Sequence, residues 1–555
     1  MASSAQLHLV GDFNLDTLGR YLAHTALDGA AIDVAPPGPV QAALSAGPPA
    51  PDWIGVVWTR AEMISAAFQR ALSYEQVDVD DVLAEVEAFA SAVARYADRA
   101  RAVFVTTWVS PPFVRGWGML DRRPGLGVAD LLARMNVALA DALRSDSSVF
   151  LLDAGRWLTA AGSRGWSQKA WYAAKCPFSP GVLAEAADDI AAAIDGLTGR
   201  ARRVVVLDLD EVLWGGSVGE AGPLGVRLGG HDHVGEAFVD FQRALKALTR
   251  RGVLLAIASK NDEAVALDAI DRHPEMQLRR DDFAAWRIDW RDKAANVAAV
   301  LADLNLGAES AVFIDDQAIE RERVRSAVPG ILVPEWPADP CLFREALGAL
   351  RCFDAPTITI EDRARAGMAA AERSRRASAA ASGTVDEWLQ SLDVRVTVEP
   401  LDARNLDRAT QLLNKTNQMN LSTRRLTAAD LSAWAAAPDR LVLTFRVADR
   451  FGDSGLTGLV GLQFAGSEAR LVDFLLSCRV MGRRVEETML HVAIAHARRG
   501  GAAILTADLI ATPRNGPCLE FFKRSGLSSA GATRFTWDTA SPYACPAAVT
   551  VSEPT

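Results

Sequence analysis

The stretch Val204-Val-Val-Leu-Asp208-Leu-Asp210-Glu-Val-Leu-Trp214-Gly215-Gly216 sets the reading of this chain. Its apolar, β-branched start reads as a short buried strand. The strand ends in two aspartates two residues apart, and side chains at i and i+2 of a strand share a side. Ligands of open parallel sheets gather beyond the carboxyl ends of the strands. Two carboxylates there can hold a hard cation and divide the work, one attacking phosphorus and the other moving a proton. Asp-x-Asp alone also fits a capping turn, but three further pieces favour chemistry. A second apolar run, 253–258, ends in Ser259-Lys-Asn261-Asp262, which puts a hydroxyl where a phosphoryl oxygen needs a donor. Lys293, in Trp290-Arg-Asp-Lys293, supplies a cation for developing charge. A third run, 311–314, ends in Asp315-Asp316, acids able to complete a metal site.

Outward from this block, short apolar runs at 7–10, 53–57, 103–107 and 149–153 alternate with helical patterns at 79–94 and 127–143. Strands alternating with helices predict an α/β fold with largely parallel sheets. At about 150 residues per domain, 555 residues predict three or four domains. The expected divisions are 1–198, 199–354, a solvated helical connector 355–384, a third unit 385–541, and a mobile tail 542–555. Acidic residues outnumber basic ones, 69 to 59, for a net charge of −10. That balance argues against nucleic acid and anionic membrane surfaces as partners. No apolar run approaches the roughly 18 residues that span a bilayer. The start lacks the basic and apolar regions of a secretory signal. The six cysteines form no Cys-x-x-Cys pair, so neither a disulfide framework nor a zinc site is expected. A soluble, cytoplasmic protein is the expectation.

The order Asp-x-Asp, Ser, Lys, Asp-Asp resembles the haloacid dehalogenase (HAD) superfamily of phosphotransferases. More narrowly, Asp-Leu-Asp-x-x-Leu-Trp-Gly-Gly, Ser-Lys-Asn-Asp, Trp-x-Asp-Lys and Phe-Ile-Asp-Asp resemble the FkbH-like family. His273-Pro-Glu-Met276, Arg321-Glu-Arg-Val324, Asn417-Gln-x-Asn420 and Ser477-Cys-Arg-Val480 add to the likeness, which runs from about residue 148 to 527. The resemblance implies a bifunctional glyceryl transferase/phosphatase of polyketide biosynthesis. Such an enzyme takes 1,3-bisphosphoglycerate, removes both phosphates and loads a glyceryl unit onto the phosphopantetheine of an acyl carrier protein. It implies Asp208 as nucleophile and Asp210 as general acid, then base. Ser259 and Lys293 would bind phosphoryl oxygens. Mg²⁺ would be held by Asp208, the Asp210 carbonyl, Asp315 and Asp316, with Trp214, Gly215, Gly216 and Asn261 beside the substrate. Glu211 and Val212 stand where the family more often has Asn and Thr, and Gln317-Ala318 where Asn-Pro is usual. The alternative is a Mg²⁺-dependent HAD phosphatase for another small acyl or sugar phosphate; a catalytically idle scaffold is a third reading, against which the intact acids speak. His231 and His233 read as an exposed loop pair.

Near the C-terminus, an apolar run 471–477 leads into Cys478-Arg479-Val-Met-Gly482-Arg483-Arg484 and then a helical pattern. A strand opening into a glycine-bearing helix start is an anion cradle. The stretch resembles the cofactor loop of GNAT-type acyltransferases, with Arg484 in place of the last small residue. The helix end and three arginines would favour a thiolate at Cys478, the expected glyceryl carrier, with Cys176 its rival. A small buried hydrophobe is the ordinary alternative for any free cysteine. Asn417 and Asn420 are expected along the acyl pocket, with Arg479 and Gly482 binding substrate. At the other end, Gly11-Asp12-Phe13 resembles the first block of SGNH hydrolases with Phe13 in the place of the nucleophilic serine. A non-catalytic domain of flavodoxin-like or SGNH-like shape is expected there.

Overall fold

The computed structural model describes residues 5–553 apart from 28, 231, 364 and 382. The chain forms two compact units, Met1–Ala201 with Leu350–Pro356, and Arg202–Ala349 with Thr357–Thr555. No described helix is long and apolar enough to cross a membrane.

The first unit holds strands β1 (Gln6–Gly11), β2 (Ala31–Val34), β3 (Ile54–Trp58), β4 (Ala102–Thr106) and β5 (Val149–Leu152), in the order β2-β1-β3-β4-β5. All four pairings are parallel. This 2-1-3-4-5 order is that of flavodoxin-like doubly wound sheets. β3 and β4 are buried along their whole length, because both faces of a parallel sheet are covered and the strands must be apolar throughout. The helices Val79–Ala97 and Val128–Leu143 cover one face, and Pro180–Thr198 covers the other. Phe13 is core, edge-on to Trp58 and Phe178. Asp12 accepts from the backbone N–H and Nε of Arg60 at 2.7 and 2.6 Å. A buried phenyl ring, with no hydroxyl, thus stands at position 13.

The second unit begins with β6 (Val204–Leu207), β7 (Leu254–Ser259), β8 (Phe283–Ile288) and β9 (Ala311–Ile314), a parallel sheet in the order β8-β7-β6-β9. The helices His233–Thr249, Glu263–Arg272 and Lys293–Asp303 each begin on an aspartate, Asp232, Asp262 and Asp292, whose carboxylate accepts first-turn N–H groups. That satisfies donors left orphaned by the helix start. It also explains the aspartates in Ser-Lys-Asn-Asp and Trp-Arg-Asp-Lys.

The expected connector is not a solvated spacer. The helix Arg365–Ala381 lies along the edge strand β8, with the Arg373 guanidinium 4.3 Å from the centre of the Trp286 ring. Arg375 is buried and pairs with buried Asp449 at 2.6 Å, and Arg483 reaches the same carboxylate at 3.1 Å. Arginines that read as a hydrophilic helix are committed to buried acids instead.

The rest of the unit is a nine-stranded sheet. It comprises β10 (Val394–Pro400), β11 (Met419–Asn420), β12 (Arg440–Asp449), β13 (Gly452–Ala465), β14 (Glu468–Leu476), β15 (Ile504–Asp508), β16 (Ser528–Ser529), β17 (Arg534–Asp538) and β18 (Val549–Ser552). The helix Val485–Arg499 links β14 to its parallel neighbour β15 and buries one face on the sheet. Residues 542–555, expected as a tail, carry β18, which pairs in parallel with β10. Glu553 beyond it bonds Arg499 at 3.0 Å. The mixed α/β architecture with parallel sheets is the one the sequence indicates.

Candidate active site

Parallel strands deliver their following residues to one edge of the sheet. Asp208 and Asp315 are the first residues past β6 and β9, and Ser259 is the last of β7. Lys293, first residue of its helix, places Nζ 2.7 Å from Asp208 Oδ2 and 2.6 Å from Asp315 Oδ2. Lys293, Asp208, Asp315 and Ser259 are all buried. Carboxylate oxygens of Asp208, Asp315 and Asp316 lie within 4.8 Å of one another. Asp316 Oδ1 is buried with no hydrogen-bond partner. An all-oxygen donor set with an orphaned carboxylate oxygen fits a small hard cation such as Mg²⁺.

The electrostatics follow from crowding charge out of water. Burial and then the neighbouring Asp208 charge push Asp315 up to about 6, against the downward pull of Lys293. Burial, then Asp208, likewise raises Asp316. Burial alone would lower Lys293, but the Asp208 and Asp315 carboxylates override it and hold the ammonium above its ordinary range. The site is therefore short of positive charge, as a metal-binding carboxylate cluster should be.

Asp210 is held apart from this cluster by a different set of partners. Its Oδ1 accepts from Trp214 Nε1 at 2.8 Å and the Val218 N–H at 3.1 Å, and its Oδ2 accepts from Asn261 Nδ2 at 3.1 Å. The same Asn261 amide donates to Ser259 Oγ at 3.2 Å. Trp214, expected beside the substrate, is fully buried. It is a positioning residue that aims Asp210. Gly215 bridges to Arg227 through paired backbone bonds, and the Gly216 N–H is taken by Glu211 Oε1 at 2.8 Å. Glu211 itself has φ +55°, a left-handed conformation that Asn tolerates better than Glu.

Arg321 escaped the sequence reading as a working residue. It is buried, and its Nη1 donates to the carbonyl oxygens of Asp315 at 3.0 Å and Asp316 at 2.7 Å. It pins the loop that carries both acids. The resembled piece Arg321-Glu-Arg-Val324 marked the position, but a strongly charged helix gave no reason to separate its arginine from a surface one. His233 opens a helix, and His231 lies outside the described residues.

Cys478 is exposed and starts a short turn, Cys478–Val480, two residues past β14. The longer helix begins only at Val485, so Cys478 is not at its N-terminus. Two of the three arginines are committed elsewhere, Arg483 to Glu372 and Asp449 and Arg484 to Glu487. The expected anion cradle is also filled. The Gly482 N–H donates to Glu486 Oε1 at 2.7 Å, so a buried carboxylate of the chain takes the place of an incoming anion. Arg484 sits at φ +65°, where glycine would be at ease. Cys478 instead lines a cavity of about 1040 Å³ together with Asn417, Gln418 and Arg479. Asn420 is not on that cavity. It is fully buried, donating to the Thr416 carbonyl and accepting from the Thr423 N–H. Cys176 belongs to the first unit, is half-buried, and has its thiol pushed up by burial.

Protein-family models and curated proteins give no match to the chain. Among solved structures, it is similar to the N-terminal part of a Bacteroides fragilis protein containing a phosphatase domain, complexed with Mg. That likeness has 24 % identity and a TM-score of 0.57, over 64 % of this chain and 94 % of the other. The two share a fold. Lesser likenesses are to the ribosomal-protein-S18-alanine N-acetyltransferase of Escherichia coli (12 % identity, 25 % of this chain and 90 % of that one, TM-score 0.20). Spermidine/spermine N-acetyltransferase SpeG of Vibrio cholerae, in complex with manganese ions, matches at 14 % identity over 27 % of this chain and 95 % of its own, TM-score 0.21.

Proposed function

We propose that this chain is a Mg²⁺-dependent phosphatase joined to an acyl-transfer centre at Cys478, a member of the FkbH-like family that makes glyceryl thioesters. One observation carries the reading. Asp208, Asp315 and Asp316 converge with Lys293 beyond one edge of a parallel sheet, beside Ser259 and a separately held Asp210. Phosphoryl transfer asks for this combination of positioning and charge neutralisation.

Asp208 attacks phosphorus of the 3-phosphate and the ester P–O bond breaks. Asp210 protonates the leaving oxygen, then takes a proton from the water that cleaves the aspartyl phosphate. Lys293 and Ser259 hold the phosphoryl oxygens. Asp208, Asp315, Asp316 and the Asp210 carbonyl would hold Mg²⁺, which when bound would supply positive charge for the phosphoryl group. At the other centre, the Cys478 sulfur attacks C1 of the mixed anhydride of 1,3-bisphosphoglycerate. The C1–O bond breaks, and phosphate leaves with the thiol proton. The acyl group then passes to a carrier thiol, which returns its proton to Cys478. The test is incubation with 1,3-bisphosphoglycerate, Mg²⁺ and a holo acyl carrier protein, with the carrier weighed by mass spectrometry. A glyceryl adduct is expected. Phosphate release from many small phosphoesters with no carrier adduct would replace this reading with that of a plain phosphatase.

A further inference from the structure

One loop of the first unit shows large apolar side chains to solvent. Residues 107–127 join β4 to the helix Val128–Leu143 and hold only the short turn Gly118–Leu120. Within them Met119 is 99 % exposed, Phe113 61 % and Leu120 43 %. The loop's own bonds hold this display in place. The Asp121 carboxylate accepts the N–H groups of Trp117, Val128 and Ala129 at 3.0, 2.9 and 3.3 Å. The Asp121 carbonyl accepts the Asp130 N–H at 3.2 Å. Trp117 is half-buried, edge-on to the Tyr74 ring at 5.2 Å. A long connection that is internally bonded and still keeps apolar side chains in water marks an interaction surface, not a spacer.

The charge of the loop is opposite to that of the chain. Residues 107–127 carry Arg115, Arg122 and Arg123 against one acid, Asp121, in a chain whose net charge is −10. The Asp121 carboxylate is committed to its three N–H groups. All three arginines are exposed. None has an ion-pair or side-chain hydrogen-bond partner among the described residues. The field of Arg122 reaches Asp130, but that carboxylate bonds Arg134 at 2.8 Å. The same edge of the sheet continues the pattern. The Asn14 N–H, just past β1, donates to the Lys175 carbonyl at 2.8 Å. Lys175 is exposed, as are Lys169 and Tyr172 before it. Aromatic and Met side chains set among arginines are the make-up of a protein interface.

We propose that the loop 107–127 is where this chain docks an acidic protein domain, and that this domain is the acyl carrier protein. The partner's identity rests on the proposed function, which needs a carrier held while the acyl group passes to its thiol. A carrier of net negative charge meets Arg115, Arg122 and Arg123 with opposite charge and covers Phe113, Met119 and Leu120. A planar anionic membrane would meet the acidic remainder of the chain together with the loop, whereas a small domain covers the loop alone. The first unit, which carries Phe13 in its core instead of a nucleophile, thereby gains a task.

Titration of a dye-labelled apo acyl carrier protein of net negative charge with the full-length chain tests it, read by fluorescence anisotropy. Binding is expected, and it should weaken as salt rises. Met119→Glu, and Arg122→Glu with Arg123→Glu, should each weaken it roughly tenfold or more. Val137→Glu adds the same charge at an exposed position of the helix that follows and should leave binding unchanged. Unaltered urea midpoints and an unaltered rate on a small phosphoester separate lost docking from lost folding. Equal binding by the wild type and both loop variants, or no binding at all, would overturn the docking surface. So would loop-dependent binding to phosphatidylserine vesicles beside carrier binding that the loop variants leave untouched. A wild type that binds the carrier through this loop, yet leaves no glyceryl adduct on its holo form, would strike the proposed function and leave the docking surface standing.

Discussion

Replacing Lys293 by Met removes the one ammonium between Asp208 and Asp315 while keeping an unbranched apolar stem. In the native site its Nζ lies 2.7 and 2.6 Å from the two carboxylates, and the three side chains are 3, 7 and 0 % exposed. Breaking a buried pair by removing one partner costs about 3–5 kcal/mol. The loss also has a ceiling, because the variant escapes repulsion by binding a proton. Holding a carboxyl of ordinary pKa 3.8 protonated at pH 7 costs about 4 kcal/mol, at about 1.4 kcal/mol per unit. A deficit of about 3–4 kcal/mol is therefore expected at neutral pH. Its sign with pH is fixed. Asp315 has a folded-state pKa raised above its unfolded value, to about 6 even with Lys293 present. The folded variant therefore binds more protons than the unfolded chain, so the deficit shrinks as pH falls toward 4 and grows as pH rises through and beyond 6. Urea denaturation with EDTA at pH 5 and pH 7.5 measures this, and added Mg²⁺ should restore more stability to the variant than to the native chain. A deficit under about 1 kcal/mol at pH 7.5, or one that does not shrink at pH 5, would refute the charge arrangement.

Other outcomes are expected from the same structure. Asp210→Asn should slow release of the 3-phosphate by roughly 10²–10⁴-fold, the usual worth of a positioned acid–base group, read on a simple phosphoester in a phosphate-release assay; Asp208→Asn should stop that release and, with 1,3-bisphosphoglycerate, leave a phosphorylated acyl-carrier and only the phosphate freed at C1. Cys478→Ala should remove the covalent acyl adduct in intact-protein mass spectra, whereas Cys176→Ala should not. Asp449→Asn leaves buried Arg375 and Arg483 to share the Glu372 carboxylate alone and should cost about 3 kcal/mol in urea denaturation, the low end for a broken buried pair. Phe13→Ser restores the hydroxyl of the resembled hydrolase block but opens a hole beside Trp58 and Phe178. It should cost about 3–5 kcal/mol and give no hydrolysis of nitrophenyl esters.

The carboxylate cluster was legible because most of its groups follow a short apolar strand, so the sequence carries the geometry directly. A parallel sheet turns "after the strand" into "at this edge", and Asp208, Ser259 and Asp315 converge without further information. Lys293 was legible for the related reason that Asp292 before it fixes a helix start. Where partners lie far apart in sequence, that inference stops. Nothing in the helix Arg365–Ala381 announces that Arg375 will find Asp449, 74 residues away; without that partner the helix reads as solvated. Residues 542–555 read as a tail because a strand of Val549–Ser552 on a sheet edge needs only a partner, β10, and not an apolar run.

The same limit explains the cysteine. Local reading assigns Cys478 the chemistry of its neighbours in sequence, a helix start and three arginines. The fold gives Arg483 and Arg484 to acids and Gly482 to Glu486. The segments that share a cavity with Cys478 come instead from β8, from the helix Arg365–Ala381 and from the loop at Arg514. What surrounds the sulfur is thus a property of the tertiary structure, assembled from segments far apart in sequence, and its neighbours along the chain carry little of it.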